Sequence, residues 1–324
     1  MHKPSGLILN AAWFDPRAVS AETQAFNERF ERALTNIPTI LDVPPQVVRQ
    51  ARESGASFFG PIIRSPKGAE RFINGPVGQI PLRIFATPNA RGVLLHIHGG
   101  GWTFGAHDHQ DPFLEKLAER TGLAVVSVGY RLLPEHPYPA ASDDCEAAAL
   151  WLIANARQEF GSDRLFIGGE SAGAHLSAVT LLRLRDKHGV TSFHGAMLTY
   201  GTYDLTMTPS ARRWGKRNLI LSTPIINQYY DWYAPNSLRG EPDVSPLYAD
   251  LVGLPPALFT VGTLDPLLDD TLFMASRWCA SAGHAELAVY PGGIHAFNSF
   301  PIDIARSANA KIRSFLNERI EATS

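Results

Sequence analysis

The segment Gly169-Glu170-Ser171-Ala172-Gly173 sets a serine between two glycines, after the apolar run Leu165-Phe166-Ile167 and before a helical pattern over Ala172–Lys187. A serine hydroxyl is a weak nucleophile until a neighbouring base takes its proton. A strand that turns sharply into a helix presents such a serine well. Flanking glycines leave room where a Cβ would collide, and the new helix aims free N–H groups and the positive end of its dipole at the same spot. The Ala172 N–H is therefore a candidate donor to a developing oxyanion. A second glycine-rich stretch, His98-Gly99-Gly100-Gly101-Trp102, follows the candidate strand Val93–His98 and offers Gly100 and Gly101 as two further backbone donors. It lacks the Gly-Lys-Ser/Thr of a phosphate-cradling loop.

Such a serine needs a base and an acid that orients the base, in chain order serine, acid, histidine. Of 11 histidines, His295 stands in Tyr290-Pro291-Gly292-Gly293-Ile294-His295, a glycine-rich loop directly after the last predicted strand. That places it over the carboxyl end of the sheet, where Ser171 is expected. His284 precedes the same strand and belongs to the opposite end. Asp265 lies just past the candidate strand Ala257–Val261. Asp269 and Asp270 fall in the next helix, where capping or dipole pairing accounts for them. The reading is Ser171 as nucleophile, His295 as base and Asp265 as orienting acid, with Glu170 making structural contacts beneath the turn.

The elements that must hold these residues follow from apolar periodicity. Candidate strands are Leu82–Ala86, Val93–His98, Ala124–Gly129, Leu165–Gly168, Ala196–Tyr200, Ala257–Val261 and Glu286–Tyr290, mostly continuous apolar runs. Between them lie helical segments Pro112–Arg120, Asp143–Gln158, Ala172–Lys187, Leu268–Ala282 and Ile302–Ile320. This alternation implies an α/β protein with a mainly parallel sheet covered on both faces. Ahead of it, Phe26, Phe30 and Leu34 recur at helical spacing until Pro38, and Pro44-Pro45 opens a second short helix ending near Gly55. Residues 204–245, rich in Trp, Tyr, Arg and Pro, interrupt the rhythm as an insertion over one end of the sheet. Its Arg212–Arg217 cluster reads as a solvated face.

These motifs resemble the hormone-sensitive-lipase family of α/β-hydrolases, the bacterial esterases with a His-Gly-Gly-Gly motif. The resemblance rests on His98–Trp102, Gly169–Gly173, Asp265-Pro266-Leu267, His295 and the run Tyr130-Arg131-Leu132-Leu133-Pro134-Glu135-His136-Pro137-Tyr138-Pro139-Ala140, and it extends from about residue 80 to the end. The last run departs from the usual wording with Leu133 in place of alanine and Tyr138 in place of phenylalanine. The resemblance implies the α/β-hydrolase fold, with a mostly parallel central sheet flanked by helices and a helical cap. The cap would comprise residues 1–55 and an insertion at about 204–245 in a catalytic domain spanning 56–324. It further implies hydrolysis of short- to medium-chain acyl esters through an acyl-enzyme, without cofactor or metal. Trp102, Trp214 and Tyr230 are the candidate substrate-pocket residues, from an aromatic set that also holds Tyr229, Trp232 and Tyr233.

Composition narrows the rivals. A net charge of −2 gives no electrostatic reason to expect nucleic acid, and 45% hydrophobic against 19% charged residues supports a globular core. Two cysteines, Cys145 and Cys279, exclude a disulfide scaffold and a four-thiolate metal site; reduced thiols are expected, with a single bridge left open. Leu7-Ile8-Leu9 is cut short by Asn10 before a signal-peptide core forms, and no apolar run approaches a membrane span, so a cytoplasmic location is expected. His107-Asp108-His109-Gln110-Asp111 resembles the start of a binuclear metallohydrolase motif but has Pro112 where another histidine belongs. A non-catalytic ligand receptor would lack the histidine that His295 supplies. Amide or lactone hydrolysis by the same triad remains the nearest alternative. The expected partner is a small-molecule ester, and an exposed last strand could support a homodimer.

Overall fold

The computed structural model describes residues 7–322. Its strands are β1 (Ala69–Gly75), β2 (Gly78–Phe85), β3 (Val93–Ile97), β4 (Ala124–Val128), β5 (Leu165–Glu170), β6 (Phe193–Thr199), β7 (Ala257–Leu264) and β8 (Ala285–Ile294). They form one sheet in the order β1-β2-β4-β3-β5-β6-β7-β8. The β1–β2 and β2–β4 pairs are antiparallel and every other pair is parallel, which is the α/β-hydrolase arrangement. The helices are α1 (Ala21–Leu34), α2 (Pro45–Glu53), α3 (Asp111–Thr121), α4 (Ala140–Phe160), α5 (Ala172–His188), α6 (Pro209–Arg213), α7 (Thr223–Tyr233), α8 (Leu268–Ala282) and α9 (Asp303–Ala322). No helix among the described residues is long and apolar enough to cross a membrane.

All residues of β3, β4 and β5 are buried, because successive side chains enter cores on opposite faces. Leu95, Val126 and Ile167 join one core with Leu152 of α4, Leu176 of α5 and Trp278 of α8. Leu94, Val125 and Phe166 join the other with Leu114 and Leu117 of α3 and Phe315 and Leu316 of α9. Burial on both faces explains why these strands read as unbroken apolar runs rather than alternations.

Two elements depart from the expectation. β1 has the sequence Ala-Glu-Arg-Phe-Ile-Asn-Gly, with Ile73 buried and Phe72 exposed, so it carries no apolar run and is not evident in the sequence. β8 continues four residues past Tyr290, through Pro291-Gly292-Gly293 to Ile294, where a loop is expected. The cause is close backbone approach: a Cβ on Gly262 of β7 would lie 2.0 Å from the Gly293 carbonyl oxygen. Glycine at both positions keeps the strands together, and His295 then leaves directly from the end of β8.

The N-terminal helices are tied to the loops at the carboxyl end of the sheet. Ser20 caps α1, its hydroxyl accepting from the Thr23 N–H. Asn27 of α1 donates to the Gly292 carbonyl at 2.8 Å. Arg49 of α2 donates to the Thr103 carbonyl at 2.8 Å, to Glu135 at 2.9 Å and to the Leu133 carbonyl. Arg217, between α6 and α7, holds Glu31 of α1 through two contacts of 2.8 Å. The N-terminal segment and the insertion therefore meet.

Candidate active site

β5 ends at Glu170 and α5 starts at Ala172, so Ser171 alone makes the turn, at φ 56° and ψ −120°. A non-glycine residue adopts this region only where its surroundings impose it. Here the Ser171 N–H donates to the Thr199 carbonyl of β6 at 2.9 Å, and the His175 N–H closes the first helical turn onto the Ser171 carbonyl at 3.1 Å. Gly169 and Gly173 are required for a shared reason: a Cβ on either would lie 1.9 Å from the Ile97 carbonyl oxygen at the end of β3. Beneath the turn, the Glu170 carboxylate meets His96 Nε2 at 3.1 Å and accepts from Gln110 at 3.3 Å.

Ser171 Oγ lies 2.9 Å from His295 Nε2, and His295 Nδ1 lies 2.9 Å from Asp265 Oδ2. A carboxylate only accepts, so Nδ1 carries the proton and Nε2 presents its lone pair to the serine hydroxyl. His295 is 4% exposed and Asp265 1%, which keeps water off the pair. The other Asp265 oxygen takes the Leu267 N–H at 2.9 Å, and the Tyr200 ring packs against the imidazole at 4.8 Å. Asp269 and Asp270 face elsewhere. Asp269 accepts the Ser210 N–H at 2.8 Å; Asp270 accepts the N–H groups of Tyr203 and Asp204 at 2.7 and 3.0 Å and the Thr208 hydroxyl at 2.6 Å. Both stand in the first turn of α8, as expected, and from there they also anchor the start of the insertion. Burial pushes the Asp270 carboxyl up to about 7 against the pull of these donors.

Gly100 at φ 114° and Gly101 at φ 58° take conformations that side chains disfavour, and the turn closes through Thr103 and Phe104 N–H groups onto the Gly100 carbonyl, leaving the glycine N–H groups out of it. Tyr130 braces the loop from behind, its hydroxyl donating to the His98 carbonyl at 2.9 Å and its ring stacked on His98 at 4.2 Å. Gly100, Gly101, Ser171, Ala172 and His295 all border one cavity of about 1410 Å³. Its walls are largely apolar and include Phe30 and Val47 from the N-terminal segment, Phe58 just after it, and Ile220, Ile225 and Tyr229 from the insertion.

The three aromatic candidates separate. Tyr230 borders the cavity but is 2% exposed, its hydroxyl bonded to Thr202 at 2.5 Å. Trp102 touches the cavity but is 1% exposed, its ring stacked on Tyr233 at 4.4 Å and its N–H given to His175 at 3.2 Å. Trp214 is not part of the cavity wall. Its N–H donates to the Arg217 carbonyl at 2.7 Å and the Arg217 guanidinium lies over its ring, because residue 214 sits at the end of α6 in a turn held to the Arg217 backbone. Tyr229, one position before Tyr230 and a member of the wider aromatic set, also borders the cavity.

The metal-like run disperses. His107 pairs with Glu70 at 2.9 Å, Asp108 with Arg64, His109 with Glu53 at 2.7 Å and Asp111 with Arg83 at 2.5 Å. Among the described residues, no group of three or more His, Cys, Asp or Glu side chains could hold a metal ion. Cys145 and Cys279 are not bridged.

Trp102 also fixes the state of His175. An indole N–H only donates, so His175 Nδ1 accepts and Nε2 donates to the Val244 carbonyl at 2.9 Å, an arrangement open only to the neutral ring. Burial pushes His175 down to about 4 and His98 to about 3, from an ordinary value of 6.5. Below pH 6.5 the unfolded chain takes protons that the native chain refuses, so stability is lost as pH falls towards these values, by about 3 kcal/mol for His175 alone. Urea unfolding between pH 7 and 4 should show that decline. His175→Gln should be less stable at pH 7 yet show a shallower pH slope.

The chain matches a family described by its alpha/beta hydrolase fold over residues 94–299. It is similar to a carboxylesterase, NlhH, of Mycobacterium tuberculosis, 34% identical over 242 residues that make up 72% of this chain and 75% of that protein. The ethyl acetate hydrolase of Pseudomonas putida is 33% identical over 229 residues, 67% of this chain and 71% of its own. Among solved structures, a hyperthermophilic esterase from the archaeon Pyrobaculum calidifontis superposes with a TM-score of 0.83 at 26% identity, covering 91% of this chain and 97% of that one.

Proposed function

The chain belongs to the alpha/beta hydrolase family, in its hormone-sensitive-lipase-like branch, and from that premise we propose that it is a serine carboxylesterase for short- to medium-chain acyl esters. Ser171 attacks the ester carbonyl while His295 Nε2 takes the hydroxyl proton, and Asp265 holds the imidazole in its tautomer and stabilises the charged ring. The N–H groups of Gly100, Gly101 and Ala172 receive the negative charge that builds on the carbonyl oxygen. His295 returns its proton to the departing alkoxide, leaving an acyl-Ser171. Water then repeats the sequence: His295 takes its proton, the hydroxide adds, and the acid leaves as Ser171 is reprotonated.

The observation that carries this reading is the unbroken line of two 2.9 Å contacts from Ser171 through His295 to Asp265, ending at a cavity that Gly100, Gly101 and Ala172 border. Residues 7–55 and about 204–245 act as one cap, since both wall the cavity and Arg217 joins Glu31; the first six residues of that cap segment lie outside the described residues. The apolar walls suit an uncharged acyl group. The test is a p-nitrophenyl ester series from acetate to palmitate together with a serine-directed alkyl phosphonate. Turnover should peak at short to medium acyl chains, and the phosphonate should stop turnover with one adduct on Ser171. Adduct formation elsewhere, or faster cleavage of matched anilides or lactones than of esters, would overturn it.

A further inference from the structure

Three tyrosines border the cavity: Tyr200, Tyr229 and Tyr230. The hydroxyls of two are already committed, Tyr200 donating to Asn298 at 2.5 Å and Tyr230 bonded to Thr202 at 2.5 Å. Among the described residues, the Tyr229 hydroxyl has no hydrogen-bond partner, and it is not one of the side-chain atoms sealed off from the cavity. Burial pushes its phenol well above the ordinary value, so at neutral pH it carries a proton to donate. A hydroxyl that opens on the cavity with no protein partner is free to donate to a ligand oxygen.

The ring's position says which part of a ligand that would be. A Cβ on Gly101 would lie 2.6 Å from Tyr229 Cζ, the carbon that bears the hydroxyl, so the ring fills the space that the missing side chain leaves. Phe104 and Trp232 meet the ring edge-on at 6.3 and 6.4 Å and limit its swing. The hydroxyl is thus one bond away from an atom packed on the loop whose N–H groups are assigned to the oxyanion.

We propose that the Tyr229 hydroxyl is a further catalytic donor, contributed by α7 of the insertion, which hydrogen-bonds the ester carbonyl oxygen as that oxygen becomes an oxyanion. The proposal rests on the serine-esterase reading above. Such a bond strengthens as charge develops, so it acts on kcat and not on KM. It also makes the cap part of the reaction centre, because α7 holds the donor while β3 and α5 hold the backbone donors.

Tyr229→Phe tests this, since it keeps the ring on Gly101 and removes only the oxygen. With p-nitrophenyl butyrate, kcat should fall about 100- to 1,000-fold, the scale of one lost oxyanion donor, with KM within about twofold. The acylation burst should slow by the same factor, and the thermal midpoint should stay put because no internal bond is lost. A kcat within about threefold of wild type, or a change confined to KM, would overturn the proposal. The two readings fail differently. A wild-type protein that cleaves no ester and takes no phosphonate at Ser171 overturns both, whereas an active, labelled wild type with an unaffected Phe variant overturns only the role of Tyr229.

Discussion

Replacing Ser171 with alanine should lower kcat for p-nitrophenyl butyrate by on the order of 10⁵–10⁶, with the thermal midpoint moved by no more than about 1 °C. The separation of the two readouts follows from where the oxygen is bonded. Ser171 Oγ contacts His295 Nε2 and supports no strand, helix or loop, while the turn is held by the Ser171 backbone through Thr199 and His175. Alanine keeps those bonds and the same backbone angles. What disappears is the proposed nucleophile, and water attacking from the cavity would keep the oxyanion donors to assist it, which leaves a small residue of rate over the uncatalysed reaction. His295→Ala should fall to a similar level, and Ser171→Ala/His295→Ala should be little worse than either alone, since the pair works as a unit. Retention of more than about a hundredth of wild-type kcat in Ser171→Ala would remove the assignment. A large fall in thermal midpoint would show that the oxygen has a structural role that these contacts do not reveal.

The candidate site is legible in the sequence to the extent that its constraints are local. The Gly169–Gly173 turn and the His98–Trp102 loop need particular residue types at adjacent positions, and backbone sterics alone make those types informative. Asp265 and His295 were legible through topology, because each follows a strand and must emerge at the same end of a parallel sheet as Ser171. What escaped depends on partners far along the chain. β1 exists because β2 offers it a ladder, although its own residues show no apolar pattern. β8 runs through Pro-Gly-Gly because Gly262 meets Gly293, a contact across 31 residues. Asp270 is set by backbone N–H groups more than 60 residues earlier. Tyr229 and Tyr230 are neighbours on α7, and which of them keeps its hydroxyl for the cavity depends on how that helix seats on Thr202 and Gly101.

The second large effect is expected at Gly173, where two physical terms oppose one another. Gly173 lies in the first turn of α5 with no left-handed backbone angle, so helix propensity alone favours alanine by up to about 1 kcal/mol. Against that, the new Cβ would stand 1.9 Å from the Ile97 carbonyl oxygen and 2.7 Å from that of His98. Both atoms are backbone, one ending β3 and the other opening the glycine loop, so neither can rotate away as a side-chain tip would. Relief requires the start of α5 and the loop to part by about an ångström, and close-packed interiors resist such a shift. That movement would separate the Ala172 N–H from those of Gly100 and Gly101, the three proposed oxyanion donors. Losing the focus of two donors at roughly 10²-fold each puts the expected fall in kcat for Gly173→Ala near 10⁴, together with a lowered thermal midpoint. Gly189 at the end of the same helix is the control. Its φ of 66° strains alanine, but no atom lies within 4 Å of the added Cβ, so Gly189→Ala should cost stability alone and leave kcat unchanged. If Gly173→Ala kept kcat within about tenfold, the oxyanion donors would not depend on the contact between the serine turn and the end of β3.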